Sequence, residues 1–185
     1  HGTDSGRLAS RDHHFWCGLQ LQNMPSGKLV KQTLRSPDYF YFGEADLEQA
    51  ETRDTAYITG DTALISAVNS ERDFHSLNTS AFFGVAYESV YDDSLKRVIN
   101  KALRNLAKRV NHGANYNMGP DVMVDTMGEA TIYEAARLLG LPKGLTAREI
   151  AAHLLNQFAK TYPVVRHDYQ DWVIATVCTT HMLVG

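Results

Sequence analysis

The residues best suited to chemistry in this chain are six cations within residues 94–110. The segment reads SLKRVINKALRNLAKRV, and its apolar residues recur every three or four positions, which predicts one amphipathic helix. No acid interrupts the segment. A helix face that carries only positive charge suits a polyanion, because ammonium and guanidinium groups bind phosphate oxygens. The predicted polyanion-binding residues are Lys96, Arg97, Lys101, Arg104, Lys108 and Arg109.

An acidic segment offers these cations a different partner. Residues 38–54 carry six acids against one arginine, and the whole chain has a net charge of -3. The basic face is therefore expected to be solvated, to pair with 38–54 in the same molecule, or to pair with that segment in a second copy. The sequence leaves two kinds of partner open. One is nucleic acid or another polyanion, and the other is an acidic subunit surface in a homo-oligomer.

Cys17 supplies an alternative, catalytic interpretation. Residues 15–19 read FWCGL and resemble the cysteine neighbourhoods of papain-like peptidases and amidases. The resemblance implies a nucleophile at Cys17 and a histidine that takes the thiol proton, for which His167 is the candidate. On this hypothesis the chain is a small cysteine-dependent hydrolase, such as an effector or toxin. The candidates for orienting the imidazole are Asp168, Asp171 and Asn115.

Sequence motifs for cofactors and metals are absent. The chain has no glycine-rich phosphate loop, no dinucleotide fingerprint, no GxSxG and no HExxH. Glu149 and His153 have helical spacing for a shared metal, but surface or hydrogen-bonded histidine is the simpler interpretation. We therefore predict no cofactor and no metal. Cys17 and Cys178 predict two free thiols in a reducing compartment, or one disulfide in an exported protein.

The elements that must position these residues divide the chain into two halves. Residues 1–12 are small and polar and predict a flexible arm, and residues 13–185 predict one domain. Short apolar runs in the first half predict strands, and ADLEQAETRD at 45–54 predicts a short acidic helix. Residues 62–68 fit a strand or a helix. The predicted strands are 15–21 and 28–34, joined as a hairpin, then 39–42 and 56–59.

Helical signals dominate after residue 94. Thr146 and Glu149 have the spacing of a capping box, which predicts where one helix begins. The two helices on either side of LPKGL resemble a helix-turn-helix, and a plain helical hairpin is the alternative. The predicted elements are a helix over 94–110, a loop over 111–125, helices over 126–139 and 147–162, and an apolar strand or helix over 172–184.

Segregated elements predict an α+β fold, with a sheet-rich half at about 13–91 packed against a helical half at about 94–162. No run approaches the roughly 20 apolar residues of a membrane span, and the composition favours a soluble, cytoplasmic protein. Our leading hypothesis is a non-enzymatic binding or assembly protein, such as a structural component of a virus or phage. It would engage a polyanion or another subunit through 94–110. The hydrolase hypothesis keeps open whether the chain is an enzyme.

Overall fold

The computed structural model describes Gln32, residues 35–41 and residues 47–180. The chain forms two compact units, His1–Asp46 and Leu47–Gly185. In the first unit, the Phe40 N–H donates to the Pro37 carbonyl at 3.1 Å and closes a turn. Residues 47–180 belong to the second unit.

The second unit is built from helices. Its described part contains eight α-helices and a sheet of two short strands. The helices are α1 (Ala50–Thr59), α2 (Thr62–Val68), α3 (Phe74–Phe83), α4 (Lys101–Asn115), α5 (Pro120–Met127), α6 (Glu129–Leu138), α7 (Ala147–Thr161) and α8 (Asp171–Thr180). The other elements are a 3-10 turn (Tyr87–Ser89), strands β1 (Tyr91–Asp92) and β2 (Arg97–Val98), which pair antiparallel, and a π-helix (Val164–Gln170).

The predicted α+β class is wrong, because the first half is helical over most of its described length. Residues 56–59 lie inside α1, and residues 39–41 form turn and coil. Strands β1 and β2 form the only sheet among residues 47–180. A short apolar run fits the period of a strand and that of a helix equally well, so this pattern cannot distinguish the two. The predicted arm at 1–12 and the hairpin at 15–34 fall outside the part that the structure describes, apart from Gln32.

Side-chain caps give the physical reason for helices in this half. The Asp61 carboxylate accepts from the Leu64 N–H at 2.9 Å and begins α2. Asp73 does the same for α3, where it accepts from the Ser76 N–H at 2.9 Å. Each cap satisfies a backbone donor that the first helical turn leaves unpaired. The ambiguous segment 62–68 is therefore helical.

The predicted helix over 94–110 is helical only from Lys101. The Asn100 side chain accepts from the Leu103 N–H at 3.1 Å, and this cap sets the beginning of α4. The helix then continues to Asn115, into the segment predicted as a loop. Most of the remaining segment, 116–125, forms the start of α5.

A β-hairpin, and not a helix, occupies the residues before Asn100. The Asp92 carboxylate accepts from the Ser94 N–H at 3.0 Å and from the Leu95 N–H at 3.1 Å. These bonds close the connection between β1 and β2. Aspartate and serine are common at helix caps, but here the Asp92 carboxylate stabilises a hairpin turn.

The third helix predicted for the second half is confirmed. α7 begins with a reciprocal capping box, in which Thr146 Oγ1 accepts from the Glu149 N–H at 3.3 Å and Glu149 Oε2 accepts from the Thr146 N–H at 2.7 Å. α6 lies within the predicted range 126–139 and packs against α7. Residues 172–180 are helical as part of α8, which settles the choice between strand and helix for them.

The core lies between α3, α4 and α7. Phe82 on α3 packs edge-to-face against Phe158 and Tyr162, with ring centroids 6.1 Å apart in both pairs. α4 contributes Leu106 and Val110 to this core. Because one face of α4 is buried here, its opposite face is fixed toward the outside.

Candidate phosphate-binding site on helix α4

Three of the predicted cations form a row on the outer face of α4. Lys101 and Lys108 are exposed, and Arg104 is partly buried between them. Residues three or four apart lie on one side of a helix, so the row extends about 10 Å along the axis. We call Lys101, Arg104 and Lys108 the basic row.

The other three predicted cations lie elsewhere. Lys96 occupies the hairpin turn with a φ of 45°, and Arg97 lies on β2. Arg109 is exposed on a different side of α4, where it lines a cavity of about 350 Å³ together with His112 and Met123. The structure thus separates the six cations into a hairpin pair, the basic row and Arg109.

Arg104 is held in place by a carboxylate from α3. Its Nε donates to Asp73 Oδ1 at 2.8 Å, and its second terminal nitrogen donates to Asp73 Oδ2 at 2.7 Å. Only 22% of the Arg104 side chain and 19% of the Asp73 side chain are exposed. Such a bidentate pair fixes the plane of the guanidinium, which keeps further N–H donors for a ligand.

Asp73 is itself held by several donors. It caps α3, and its own N–H donates to the Tyr87 hydroxyl at 3.1 Å, which in turn donates to Asp93 at 2.8 Å. Burial raises the pKa of Asp73, but hydrogen bonds from Arg104 and Ser76 outweigh this and bring it to about 2. The carboxylate therefore stays charged under all ordinary conditions and keeps Arg104 oriented.

Tyr87 and Arg72 connect the hairpin to Asp73 and the beginning of α3. Burial and the hydrogen bond to Asp93 raise the pKa of Tyr87 to about 12, so this hydroxyl keeps its proton. The Arg72 guanidinium lies over the Tyr87 ring, 4.6 Å from its centroid, and is 3.8 Å from both Glu88 and Asp93. These contacts join the 3-10 turn and the hairpin to the beginning of α3.

His75 lies in the first turn of α3, next to the basic row. Burial, Arg104 and Lys108 lower the pKa of this histidine to about 4, while Asp73 opposes them. The imidazole is therefore neutral at pH 7. A neutral ring adds no charge of its own to the row, in which Asp73 already offsets the charge of Arg104.

A buried chain of polar side chains fixes the rotation of α4 about its axis. Asn111 on α4 donates to Thr52 Oγ1 at 3.3 Å and accepts from Asn78 Nδ2 at 3.1 Å. Tyr162 donates to Asn78 Oδ1 at 2.5 Å. These hydrogen bonds connect α1, α3 and α4 with the end of α7, so a rotation of α4 would leave buried polar groups unpaired.

An aromatic group continues the outer face of α4 beyond the basic row. His112 and Tyr116 contact edge-to-face with centroids 5.2 Å apart, and His112 Nδ1 lies 3.8 Å from Glu51 Oε2. Tyr116 is 56% exposed. Aromatic rings beside cations are suited to nucleic acid, because bases stack on rings while cations bind phosphates.

The sequence did not indicate that Asp73 and His75 adjoin the basic row. Asp73 is of a residue type that often caps helices, and that local signal concerns only the beginning of α3. Nothing in that signal shows that its carboxylate meets Arg104, 31 residues further along the chain. The contact follows from the packing of α3 against α4.

The structure describes only part of the residues named by the hydrolase hypothesis. Cys17 lies outside the described residues. His167 is on the π-helix, with Nδ1 3.6 Å from Asp171 Oδ2, and Asp168 is exposed on the same element. Within 47–180, no three histidine, cysteine, aspartate or glutamate side chains are grouped so that they could hold a metal ion. No helix in the described residues is long and apolar enough to span a membrane.

Comparison with known proteins gives one consistent result. DNA polymerase family A matches this chain over residues 1–183. DNA polymerase I of Caldicellulosiruptor bescii is 30% identical over 174 residues, which are 92% of this chain and 17% of that protein. The thermostable DNA polymerase I of Thermus thermophilus is 30% identical over 179 residues, again 17% of its length. The chain thus spans about a sixth of the length of these relatives.

These matches overturn both functional hypotheses drawn from the sequence. The chain is neither a non-enzymatic assembly protein nor a cysteine hydrolase, because its similarity is to polymerases over nearly its whole length. The prediction of a viral or phage structural component is wrong for the same reason. The matches also give no support to a homo-oligomer formed by 38–54 and 94–110.

Proposed function

We propose that this chain, which belongs to DNA polymerase family A, works in DNA synthesis and binds phosphate groups through the basic row of α4. The phosphates would be those of DNA or of the deoxynucleoside triphosphates that a DNA polymerase joins. Both sources present the same chemistry, namely anionic oxygens that accept charge-assisted hydrogen bonds.

The observation that carries this proposal is the anchoring of Arg104 by Asp73. An arginine that is oriented before its ligand arrives loses less conformational entropy on binding than a free surface side chain does. Lys101 and Lys108 flank it on the same face and lie in the open. The polar chain through Asn111 keeps this face turned outward.

Enzymes that transfer phosphoryl groups work mainly by positioning and by neutralising charge on phosphate oxygens. The basic row supplies such neutralisation. The remaining predicted cations, Lys96, Arg97 and Arg109, are proposed as weaker contacts to the DNA backbone, since no described contact fixes them toward the row.

The test is binding of the chain to a primer–template duplex and to a deoxynucleoside triphosphate, by fluorescence anisotropy and calorimetry at several salt concentrations. Lys101→Ala and Lys108→Ala should each weaken binding, and each should reduce the slope of log affinity against log salt for DNA by about 0.9. Lys160→Ala, an exposed change on α7, is the matched control. Equal affinity of all three variants and the wild type for both ligands would contradict the proposal.

The two ligands distinguish the two phosphate sources. Weakening for the triphosphate alone assigns the row to the incoming nucleotide, and weakening for the duplex alone assigns it to the DNA backbone.

A further inference from the structure

The last turn of α4 is tied to the π-helix by a buried glutamine. Gln170 Nε2 donates to the Ala114 carbonyl at 2.7 Å and to the Asn115 carbonyl at 3.4 Å. Gln170 is only 6% exposed. The two carbonyls come directly before Tyr116, which forms the aromatic group together with His112. Gln170 therefore holds the part of α4 that carries this group.

A second amide ties the same turn to α1. Asn115 Nδ2 donates to Thr52 Oγ1 at 3.2 Å, and Thr52 is 7% exposed. The π-helix also packs against α1. The last turn of α4 is thus held by hydrogen bonds to two other elements, beyond the point at which Asn111 fixes the helix.

Both amides use their nitrogens and leave their oxygens unpaired. Gln170 Oε1 and Asn115 Oδ1 are buried and have no hydrogen-bond partner among the described residues. A buried acceptor without a partner costs free energy, which an apolar side chain of the same length would avoid. The Ala114 carbonyl would still accept from the Asn117 N–H at 2.9 Å. Stability alone therefore does not account for a glutamine at position 170.

The π-helix determines the direction of the Gln170 side chain. Gln170 is the last residue of this element, and the Asp171 N–H donates to the Arg166 carbonyl five residues back. A π-turn holds about one residue more than an α-turn, and each residue of an α-helix turns the chain by about 100°. In an uninterrupted α-helix Gln170 would therefore be turned away from its present direction. Such π-turns are rare and are frequent at functional sites.

We propose that Gln170 is a positioning residue for nucleobase contact, which holds the last turn of α4 so that the aromatic group stacks on a base of a DNA strand whose phosphates lie on the basic row. This inference rests on the proposed phosphate-binding function and adds a base contact to it. Tyr116 is 56% exposed, and bases stack on such rings while cations bind the phosphates. Gln170 itself touches no DNA and acts through α4.

The test compares the affinity of the chain for a single-stranded oligodeoxynucleotide and for an abasic oligonucleotide of the same length, by fluorescence anisotropy at one salt concentration. The two probes carry the same number of phosphates, so the ratio of their affinities reports contacts with bases. Gln170→Met keeps the length of the side chain and removes its N–H donors. Gln157→Met is the matched control, because the Gln157 side chain pairs with His153 on the same helix, α7.

We expect Gln170→Met to bind the normal oligonucleotide about tenfold more weakly than the wild type does, and the abasic one with unchanged affinity. Gln157→Met should keep the wild-type ratio. A Gln170→Met protein that loses affinity for both probes equally, or for neither, would overturn the inference. Equal affinity of the wild type for the two probes would also overturn it and leave the phosphate-binding function standing, whereas a wild type that binds neither probe would overturn both.

Two further measurements separate positioning from a purely structural role without any ligand. The midpoint of urea denaturation of Gln170→Met should equal or exceed that of the wild type, because an unpaired buried oxygen is removed. A lower midpoint, or a protein that does not fold, would show a structural role and overturn the proposal.

Hydrogen exchange reports on the last turn of α4 directly. The N–H groups of Asn117 and Met118 donate to the Ala114 and Gly113 carbonyls at 2.9 and 3.0 Å. They should exchange faster in Gln170→Met than in the wild type, although global stability is not reduced. Equal exchange rates in the two proteins would show that Gln170 does not hold this turn, and the proposal would fail.

Discussion

The beginnings of α3 and α7 each have a side-chain cap and a nearby arginine–aspartate ion pair, but the two ion pairs differ in burial. At the beginning of α3, Asp73 caps the helix and pairs with Arg104. At the beginning of α7, Thr146 caps the helix, and Arg148 in the first turn pairs with Asp121 on α5 at 2.9 Å. The first pair is about one-fifth exposed, whereas the Arg148 and Asp121 side chains are 69% and 71% exposed.

The difference in burial gives the two regions different roles. Water screens the outer pair, so it contributes little to stability. The inner pair is partly removed from water, and one carboxylate serves as helix cap and as arginine partner at once. Its loss would therefore disturb α3, α4 and the basic row together. A cap in the sequence says where a helix begins, and only packing decides whether it also positions a functional side chain.

The largest expected effect is that of Asp73→Ala compared with Asp121→Ala. Removing Asp73 leaves Arg104 partly buried without its partner and removes the cap of α3, so the free energy of unfolding should fall by about 3 kcal/mol. Asp121→Ala should cost less than about 1 kcal/mol, because that pair is exposed. Urea denaturation of both variants measures the difference. Equal losses would show that burial does not separate the two regions.

Acid should lower the free energy of unfolding through Asp73 by an intermediate amount. The pKa of Asp73 is about 2 in the folded protein and 3.8 in a free carboxyl group, so its stabilisation is present above pH 4 and is lost as the pH falls toward 2. The difference corresponds to about 2 kcal/mol of unfolding free energy. Denaturation curves of the wild type and Asp73→Asn, measured from pH 5 to pH 2, should converge as the pH falls.

His75 titrates at higher pH than Asp73, so their contributions to the pH dependence of unfolding can be separated. Its pKa is lowered from 6.5 to about 4 in the folded protein, so its contribution is lost between those values as the pH falls. Below pH 4, the difference between the wild-type and Asp73→Asn unfolding free energies therefore reflects the titration of Asp73 alone. Curves for the wild type and Asp73→Asn that remain parallel down to pH 2 would contradict the assignment.

The smallest effect is expected at the outer region. Thr146→Ala removes the side chain that accepts from the Glu149 N–H, and it should lower the free energy of unfolding by about 1 kcal/mol. Phosphate binding by the basic row should not change. Thr146→Ser keeps the hydroxyl and is the control in the same denaturation experiment. A loss as large as that of Asp73→Ala would remove the contrast between the two caps.

Much of the second half could be predicted from local signals. The capping box at Thr146 and the spacing of apolar residues after Lys101 each involve residues within one or two helical turns, so the sequence contains the whole interaction. The first half could not be predicted in this way. Its short apolar runs fit strands and helices alike, and they become helices through the caps at Asp61 and Asp73 and by packing against α4 and α7.

The candidate site shows the same division. Charge and spacing alone predicted that Lys101, Arg104 and Lys108 share one helix face, because helical periodicity places residues three or four apart on one side. The sequence predicted Lys96 and Arg97 on the same helix, but the Asp92 carboxylate closes a hairpin turn there and separates them from the helix. The sequence did not predict that Asp73 and His75 lie beside these cations, since those contacts join residues about 30 positions apart.

The sequence by itself determined that the chain carries a cationic helix face and where α7 begins, because charge and capping act between near neighbours in the chain. Only the tertiary structure decided which cations lie together, which one is anchored, and that a neutral histidine adjoins them. Burial and ion pairing across α3 and α4 depend on how distant segments pack, and those contacts set the pKa values of Asp73 and His75.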